Sequence, residues 1–303
     1  MLSEFKILIT GSNGYIGSHL AEKMISNGYN ISLTDIQKKS VLNYPKYFKL
    51  DFTKANLINK RVEGFDYIFF LTGRTGPAED SFENPNEFIL GNEITLLNLL
   101  KTIKNFKNKP KIIFPSTRLL YKGIKSSSLD ESSEIEAKTV YAVNKIACEN
   151  YLDLYQRCFG IDYAVFRISL PYGSLFDYKK NSHGVMSFLI KNATEGNGLK
   201  IYGTGNQKGT FIHIEDLVSI LIEASLSPKT NNKIFNIGGK NNLMMKEVIL
   251  AIAEQYKVSA ENIPWPEVSL FAEHGDIVFN SEKLNKIIDY ECKHDFFEWL
   301  KKI

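Results

Sequence analysis

The octapeptide Thr10-Gly11-Ser12-Asn13-Gly14-Tyr15-Ile16-Gly17 constrains this chain more than any other stretch. It joins a strand-like run, residues 5–10, to a helical one, residues 16–27. A turn this tight needs one residue without a Cβ. Close approach of the backbone to a pyrophosphate needs a second, and packing of helix on strand a third. The helix that follows presents N–H groups and the positive end of its dipole to a phosphate. Gly11, Gly14 and Gly17 fill the three positions, with Asn13, Tyr15 and Ile16 around them. In a strand–turn–helix setting this spacing predicts nucleotide binding. A second cluster, Gly203-Thr204-Gly205 with Gly209, lies between short strands and opens no helix, so it reads as a loop.

Strand-like runs recur at 29–34, 47–50, 67–71, 111–114 and 163–167, alternating with helical stretches such as 87–103 and 138–158. Nearly continuous apolar strands between helices imply a parallel sheet covered on both faces. Beyond residue 170 the alternation loosens. A loop-like segment, 171–184, is followed by helices near 185–194, 214–224 and 245–256, strands near 199–202, 210–213 and 234–237, and a closing helix at 294–302. The reading is an α/β chain. A Rossmann-type doubly wound parallel sheet occupies residues 1–170, with return segments near 210–230, and a smaller mixed α/β C-terminal substrate domain occupies 171–303.

Composition narrows the function. No run approaches the roughly eighteen apolar residues of a membrane span, and the first residues carry no charged-then-apolar leader pattern. Three cysteines, Cys148, Cys158 and Cys292, are too scattered for a disulfide framework or a zinc site and suit a reducing cytoplasm. The net charge is +3, with 37 basic against 34 acidic residues, and no basic run interleaves with aromatics, so nucleic acid is not an expected partner. His213 with Glu215 and Asp216 reads as a helix N-cap, and no metal is expected.

Asp35 ends the second strand, where a carboxylate accepts hydrogen bonds from an adenosine ribose. A 2′-phosphate would be repelled there and no arginine follows nearby, so NAD is favoured over NADP. Asp51, followed by Phe52, is placed to meet the adenine amino group or to serve a simple turn. Tyr141 and Lys145 stand at i and i+4 on one helix face. Such pairs arise by chance, and a second, Tyr121 with Lys125, brackets Gly123 in a loop; only position promotes Tyr141 and Lys145. A phenol is a poor base at neutral pH unless nearby cations favour its phenolate. Tyr141 would then take a hydroxyl proton as hydride leaves the same carbon, with Lys145 lowering its pKa. Thr117, after the fifth strand, either hydrogen-bonds the reacting oxygen or caps the strand end.

These residues together resemble the extended short-chain dehydrogenase/reductases, in their nucleotide-sugar epimerase, dehydratase and reductase group, over nearly the whole chain. Leu71-Thr72-Gly73 stands where the family has a Leu-Ala-Ala turn, and Asn92 falls in the expected helix. Ser116-Thr117-Arg118-Leu119-Leu120-Tyr121 is similar to the Ser-Ser/Thr…Tyr-Gly segment, with Lys122 inserted before Gly123. Tyr141 and Lys145 match the YxxxK pair, and residues 211–216 match a later strand–helix junction. The resemblance implies that the glycine turn, Asp35, Asp51, Phe52, Leu71, Thr72, Gly73, Asn92, Tyr141 and Lys145 surround NAD. It implies hydride exchange with a sugar carbon, usually C4, and a homodimer paired through helices 87–103 and 138–158.

The chain departs from the family's pattern on the substrate side. Leu170 replaces an asparagine, and arginines that grip the substrate's phosphates are replaced by Gly209 and Glu273. Lys208, Lys179, Lys180, His183 or backbone N–H groups take over that grip, or the substrate lacks a diphosphate. Arg118 and Leu119 stand where dehydratases carry an Asp-Glu pair, which argues against water elimination. Arg74 and Arg118 contact substrate or face solvent. The expectation is an NAD-using sugar epimerase, with Arg74, Thr117, Arg118, Leu170, His183 and Lys208 toward the substrate. An NAD-linked dehydrogenase or 4-ketoreductase comes second, and a non-catalytic NAD-binding regulator third.

Overall fold

A computed structural model of the chain describes residues 4–125, 127–173 and 184–303. Twelve strands follow in order: β1 Lys6–Thr10, β2 Asn30–Asp35, β3 Tyr47–Lys49, β4 Tyr67–Phe70, β5 Lys111–Thr117, β6 Tyr163–Ile168, β7 Leu170–Tyr172, β8 Leu199–Tyr202, β9 Lys208–His213, β10 Lys233–Ile237, β11 Asn241–Met244 and β12 Ala260–Ile263. Seven of them form one sheet in the order β10-β6-β5-β4-β1-β2-β3. Every pairing in it is parallel, with Ile9 opposite Leu33 on one side and Phe69 on the other.

Successive residues of β1 serve two cores, which is why the run is apolar throughout rather than alternating. Ile7 and Ile9 face one side, with Leu20 and Met24 of the helix Tyr15–Ser26 and Leu217 and Leu221 of the helix Ile214–Leu226. Leu8 faces the other, with Leu96 and Leu99 of the helix Thr95–Ile103 and Cys148 and Leu152 of the helix Val140–Phe159. All are fully or almost fully buried, each contributing roughly 1.5–3 kcal/mol by leaving water. β10 comes from far along the chain to complete the seven-stranded sheet beside β6.

A third core lies between β7–β9–β11, the pair β8–β12, and the helices Gly184–Thr194 and Met245–Tyr256. Here the loop expected at 171–184 needs correction at its start. Leu170 and Tyr172 bury into this core, so Leu170–Tyr172 is a strand pairing with β9. Pro171 is tolerated because β7 is an edge. The helix expected over 87–103 is also interrupted: Pro85–Ile89 is α-helical, Leu90–Ile94 makes a π turn, and the α-helix resumes at Thr95.

β1 lies between β2 and β4, so the chain leaves it in one direction and later returns on the other. In doubly wound sheets such a reversal marks the crevice for a ligand, here at the carboxyl ends of β1 and β4. A buried polar network holds the neighbouring strands and the helix Val140–Phe159 in place. Glu149 accepts from Arg167 at 2.7 and 3.1 Å and from the Ser116 hydroxyl at 2.5 Å. Arg167 also donates to the Tyr121 hydroxyl at 2.8 Å, which donates to Asn236 at 2.7 Å.

Candidate active site

The crevice is built from backbone. Gly11 has φ +63°, and a Cβ on it would stand 2.7 Å from the Leu71 carbonyl oxygen, so the loops after β1 and β4 touch only because Gly11 has none. A Cβ on Gly17 would overlap the Gly11 carbonyl, and one on Gly14 would lie 3.2 Å from it. Gly14 caps the helix with no side chain competing for the first-turn N–H groups. Tyr15 and Ile16, which begin that helix, pack against the first core. Asn13 is a strut. Its N–H donates to Asp35 at 3.1 Å, its side chain donates to Gln37 and the Lys39 carbonyl, and its Oδ1 accepts from Val41.

Asp35 is therefore tied to the glycine turn at the end of β2, partly exposed, its second oxygen accepting from the Gln37 N–H at 3.2 Å. Asp51 closes an Asx turn on Thr53 at 3.0 and 2.7 Å. The Phe52 side chain is buried in the second core, and its carbonyl accepts from Asn98. Thr72 bonds the Thr10 hydroxyl through both its N–H and its own hydroxyl, at 3.3 and 2.8 Å. Asn92, on the π turn, accepts from the Arg74 N–H and donates to the carbonyls of Arg74 and Phe88, bracing the loop at Gly73. The Arg74 guanidinium is held by carboxylates just beyond its loop: it pairs with Asp80 at 3.0 Å and with Glu87, lies 5.0 Å from the Phe88 ring, and leaves its Nε without a partner among the described residues.

Thr117 ends β5 at the same edge of the sheet. Its Oγ1 accepts from the Leu119 N–H at 3.2 Å, capping the short turn Arg118–Leu120. Tyr141 lies in the first turn of Val140–Phe159, a helix capped by the Thr139 hydroxyl at 3.1 Å. Lys145, one turn on, donates to the Pro115 carbonyl at 2.8 Å, with its ammonium 4.4 Å from the Phe114 ring and 5.7 Å from the Tyr141 ring. Burial pushes the Tyr141 phenol up to about 12, opposed by the hydroxyls of Thr75 and Thr117 close by. Burial also pushes Lys145 down to about 8, opposed by Cys148 and Glu149. The resting site thus holds a phenol, and desolvation outweighs what the neighbours do to favour phenolate. Thr75 was not foreseen from the sequence; its only signal was a hydroxyl a few residues beyond β4.

On the substrate side two departures from the family's pattern prove to be one. A Cβ on Gly209 would come 2.7 Å from Leu170 Cδ1, so Leu170 packs over the glycine. Leu170 is buried in the third core. The Lys208 N–H donates to Asp276 at 2.8 Å, with its residue exposed at the start of β9. Arg118 is partly exposed, next to Thr117. His183, Lys179 and Lys180 lie outside the described residues. His213 caps its helix by accepting from the Glu215 N–H at 3.2 Å and stacks on His294 at 4.0 Å between ring centres; burial pushes it down to about 4.

Comparison with known proteins places this arrangement among relatives. The sequence profile of the NAD dependent epimerase/dehydratase family matches residues 7–238. The chain is 27% identical over 263 residues to a putative UDP-glucose 4-epimerase of Methanocaldococcus jannaschii, covering 85% of this chain and 84% of that one. It is 26% identical over 326 residues to CDP-paratose 2-epimerase of Salmonella typhi, covering 95% of each. The structure superposes on UDP-glucose 4-epimerase of Thermus thermophilus in complex with NAD with a TM-score of 0.84 at 21% identity, over 98% of this chain and 96% of that one. No helix among the described residues is long and apolar enough to cross a membrane.

Proposed function

The chain belongs to the NAD-dependent epimerase/dehydratase family, and we propose that within it this protein epimerises a nucleotide-linked sugar through a transient keto sugar. NAD is the cofactor. The chain fits it: three glycines let the turn close against the Leu71 loop and against itself, at a helix start whose N–H groups no side chain caps. Asp35 at the end of β2 suits a ribose hydroxyl pair and opposes a 2′-phosphate. We assign the cofactor to residues 1–170 with the return near 210–230, and the sugar to 171–303.

The convergence of Thr117, Tyr141 and Lys145 at the carboxyl edge of the sheet, beside the glycine turn, carries this reading. Bound NAD supplies a hydride acceptor that can return what it takes. Tyr141 is the acid and base, taking the hydroxyl proton as the carbonyl forms and returning it when the carbonyl is reduced. Its phenol starts protonated, so the positive charge brought into the crevice and the Lys145 ammonium must together favour phenolate. The Pro115 carbonyl fixes that ammonium one turn from the phenol. The Thr117 hydroxyl holds the reacting oxygen, and Lys208 with neighbouring main chain meets the phosphates. Three unpaired cysteines fit a reducing, cytoplasmic setting.

Denaturing the purified protein and identifying the small molecules released tests the reading. Stoichiometric NAD or NADH is expected, since a self-regenerating epimerase keeps its cofactor. An empty protein that reduces added NAD only when substrate is present would instead be a dehydrogenase, and NADP in its place would overturn the role of Asp35.

The helices Pro85–Ile89 and Val140–Phe159, with the π turn between Leu90 and Ile94, leave Ile89, Leu90, Ile94, Val143 and Leu154 exposed. We place a second copy of the chain there. Light scattering is expected to give twice the 34.5 kDa of one chain, and Leu90→Glu with Val143→Glu to give the monomer. A wild-type monomer at micromolar concentration would refute the pairing.

A further inference from the structure

The chain has five arginines, and four of them have partners inside the fold. Arg61 donates to the Lys49 carbonyl, Arg74 pairs with Asp80 and Glu87, Arg157 with Asp153, and Arg167 with Glu149. Arg118 makes no hydrogen bond or ion pair with any described residue. Among the described residues the one carboxylate whose charge reaches it is Glu273, beyond ion-pair distance and accepting from the Gly275 N–H at 2.8 Å. Arginine's fork is costly to order and to desolvate, so a partly buried one with no partner among the described residues points to an anion that arrives from outside.

The surroundings are built for the same purpose. The loop carrying Glu273 and His274 is tied down against the Arg118 turn: the Ile124 N–H donates to the Asp276 carbonyl at 3.0 Å and Lys138 Nζ to the Glu273 carbonyl at 2.8 Å. A Cβ on Gly123 would overlap the His274 carbonyl, so the loop touches the chain three residues beyond the turn. His274 is 8% exposed, and neither ring nitrogen has a well-formed hydrogen bond. The Tyr121 main chain approaches the ring and Glu136 adds a weak negative influence. Buried polar atoms without partners call for a ligand or an ordered water. Burial first, then the charges of Arg118 and Lys138, push the imidazole down to about 4, so at neutral pH it is a neutral ring with one donor and one acceptor.

We propose that Arg118, backed by Lys138 and His274, reads an acidic substituent on the sugar ring itself, so that the substrate is an acidic nucleotide sugar of the uronic acid type. This rests on the epimerase reading above. Thr117 is there assigned to the reacting oxygen, and Arg118 follows it directly as the first residue of the turn that the Thr117 hydroxyl caps. It therefore stands beside a substituent next to the reacting carbon. With reaction at C4 the neighbouring exocyclic group is C6, whereas the diphosphate leaves from C1 across the ring. A planar carboxylate also matches the fork in a way that a hydroxymethyl group does not.

The test uses the NAD-loaded protein and pairs of ligands sharing one nucleotide: UDP-glucuronate against UDP-glucose, and GDP-mannuronate against GDP-mannose, with UDP and GDP alone. In the pair that binds, the acid is expected to bind at least about tenfold more tightly than the neutral sugar, as loss of a charge-assisted pair implies. That ratio falls to about one in Arg118→Gln and is partly restored in Arg118→Lys, while the bare diphosphate is unaffected. Retained NAD reports that both variants fold. Equal binding of acid and neutral sugar, or a ratio that survives Arg118→Gln, overturns the proposal. So does equal loss of the bare diphosphate, which would put the anion at the pyrophosphate. If no nucleotide sugar binds while NAD stays bound, the epimerase reading fails and takes this one with it.

Discussion

Tyr141→Phe is expected to lower kcat by about 10²- to 10⁴-fold, the usual worth of a positioned acid–base group, while NAD remains bound and Tm stays within a degree or two of wild type. The change removes one oxygen. The ring that packs 5.7 Å from the Lys145 ammonium is kept, and the cap from Thr139 to Ala142 involves no atom of Tyr141. The phenol's neighbours are the Thr75 and Thr117 hydroxyls at the site itself, so the loss falls mainly on chemistry. A neighbouring tyrosine cannot substitute. Tyr121 is fully buried, donates to Asn236 and accepts from Arg167. Steady-state kinetics with the released-cofactor assay checks the expectation: kcat falls, KM changes little, and the NAD content is unchanged. Lys145→Met should fall in the same direction and also loosen the helix from Pro115, so it should cost stability as well as rate. Near-wild-type turnover in Tyr141→Phe would remove the acid–base assignment and leave the third core and the NAD crevice without a reaction.

How far the sequence could be read depended on how local the determining physics was. The turn from Thr10 to Gly17 was legible because a tight turn and a close backbone approach demand glycine whatever the rest of the chain does. The two-sided sheet was legible because both faces of β1 are covered, and its residues are apolar without alternation. β11 and β12 were not legible, since Asn241-Asn242 and Glu261-Asn262 are poor strand formers that become strands only by pairing with β9 and β8. The π turn at Leu90–Ile94 left no mark in the helical spacing. The same division holds at the site. Position along the chain, not the i, i+4 spacing that Tyr121 and Lys125 share, marked Tyr141 and Lys145, but their resting protonation came from burial, which sequence position does not report. Leu170 and Gly209 each looked like a lost polar contact. Their mutual packing is long-range and could be seen only once β7 and β9 were side by side. Arg74 and Arg118 were indistinguishable as letters and were separated by one fact, the presence of Asp80 and Glu87 around the first.

The largest expected effect on stability is at Glu149 and Arg167. Both are almost wholly buried, at 6% and 3% exposure. Burial works against the charged guanidinium, and the Glu149 carboxylate outweighs it, with the Tyr121 hydroxyl adding to the effect, so Arg167 holds its proton more tightly than an ordinary arginine. Removing one member leaves the other buried without its counter-charge, which costs about 3–5 kcal/mol. Glu149→Leu and Arg167→Met are each expected to lower Tm by roughly 10 °C on that cost and the usual scaling for a chain of this size. The double variant should melt above either single one, because the pair's burial penalty goes with it. It should not regain wild type, since the Ser116 and Tyr121 hydroxyls would each lose a partner. Calorimetry of the four proteins closes the cycle, and additive losses would mean the two side chains are not coupled. The same cycle bears on the reaction. Glu149 lies one turn beyond Lys145 on one helix, and its bond to Ser116 ends one residue before Thr117. A helix released from Ser116 can shift Tyr141 relative to Thr117, and a shift of about 1 Å at a reacting group costs on the order of a hundredfold in rate. The single variants should therefore lose kcat even at temperatures where they are fully folded, whereas a pair that only stabilises the fold would leave kcat unchanged below the melt.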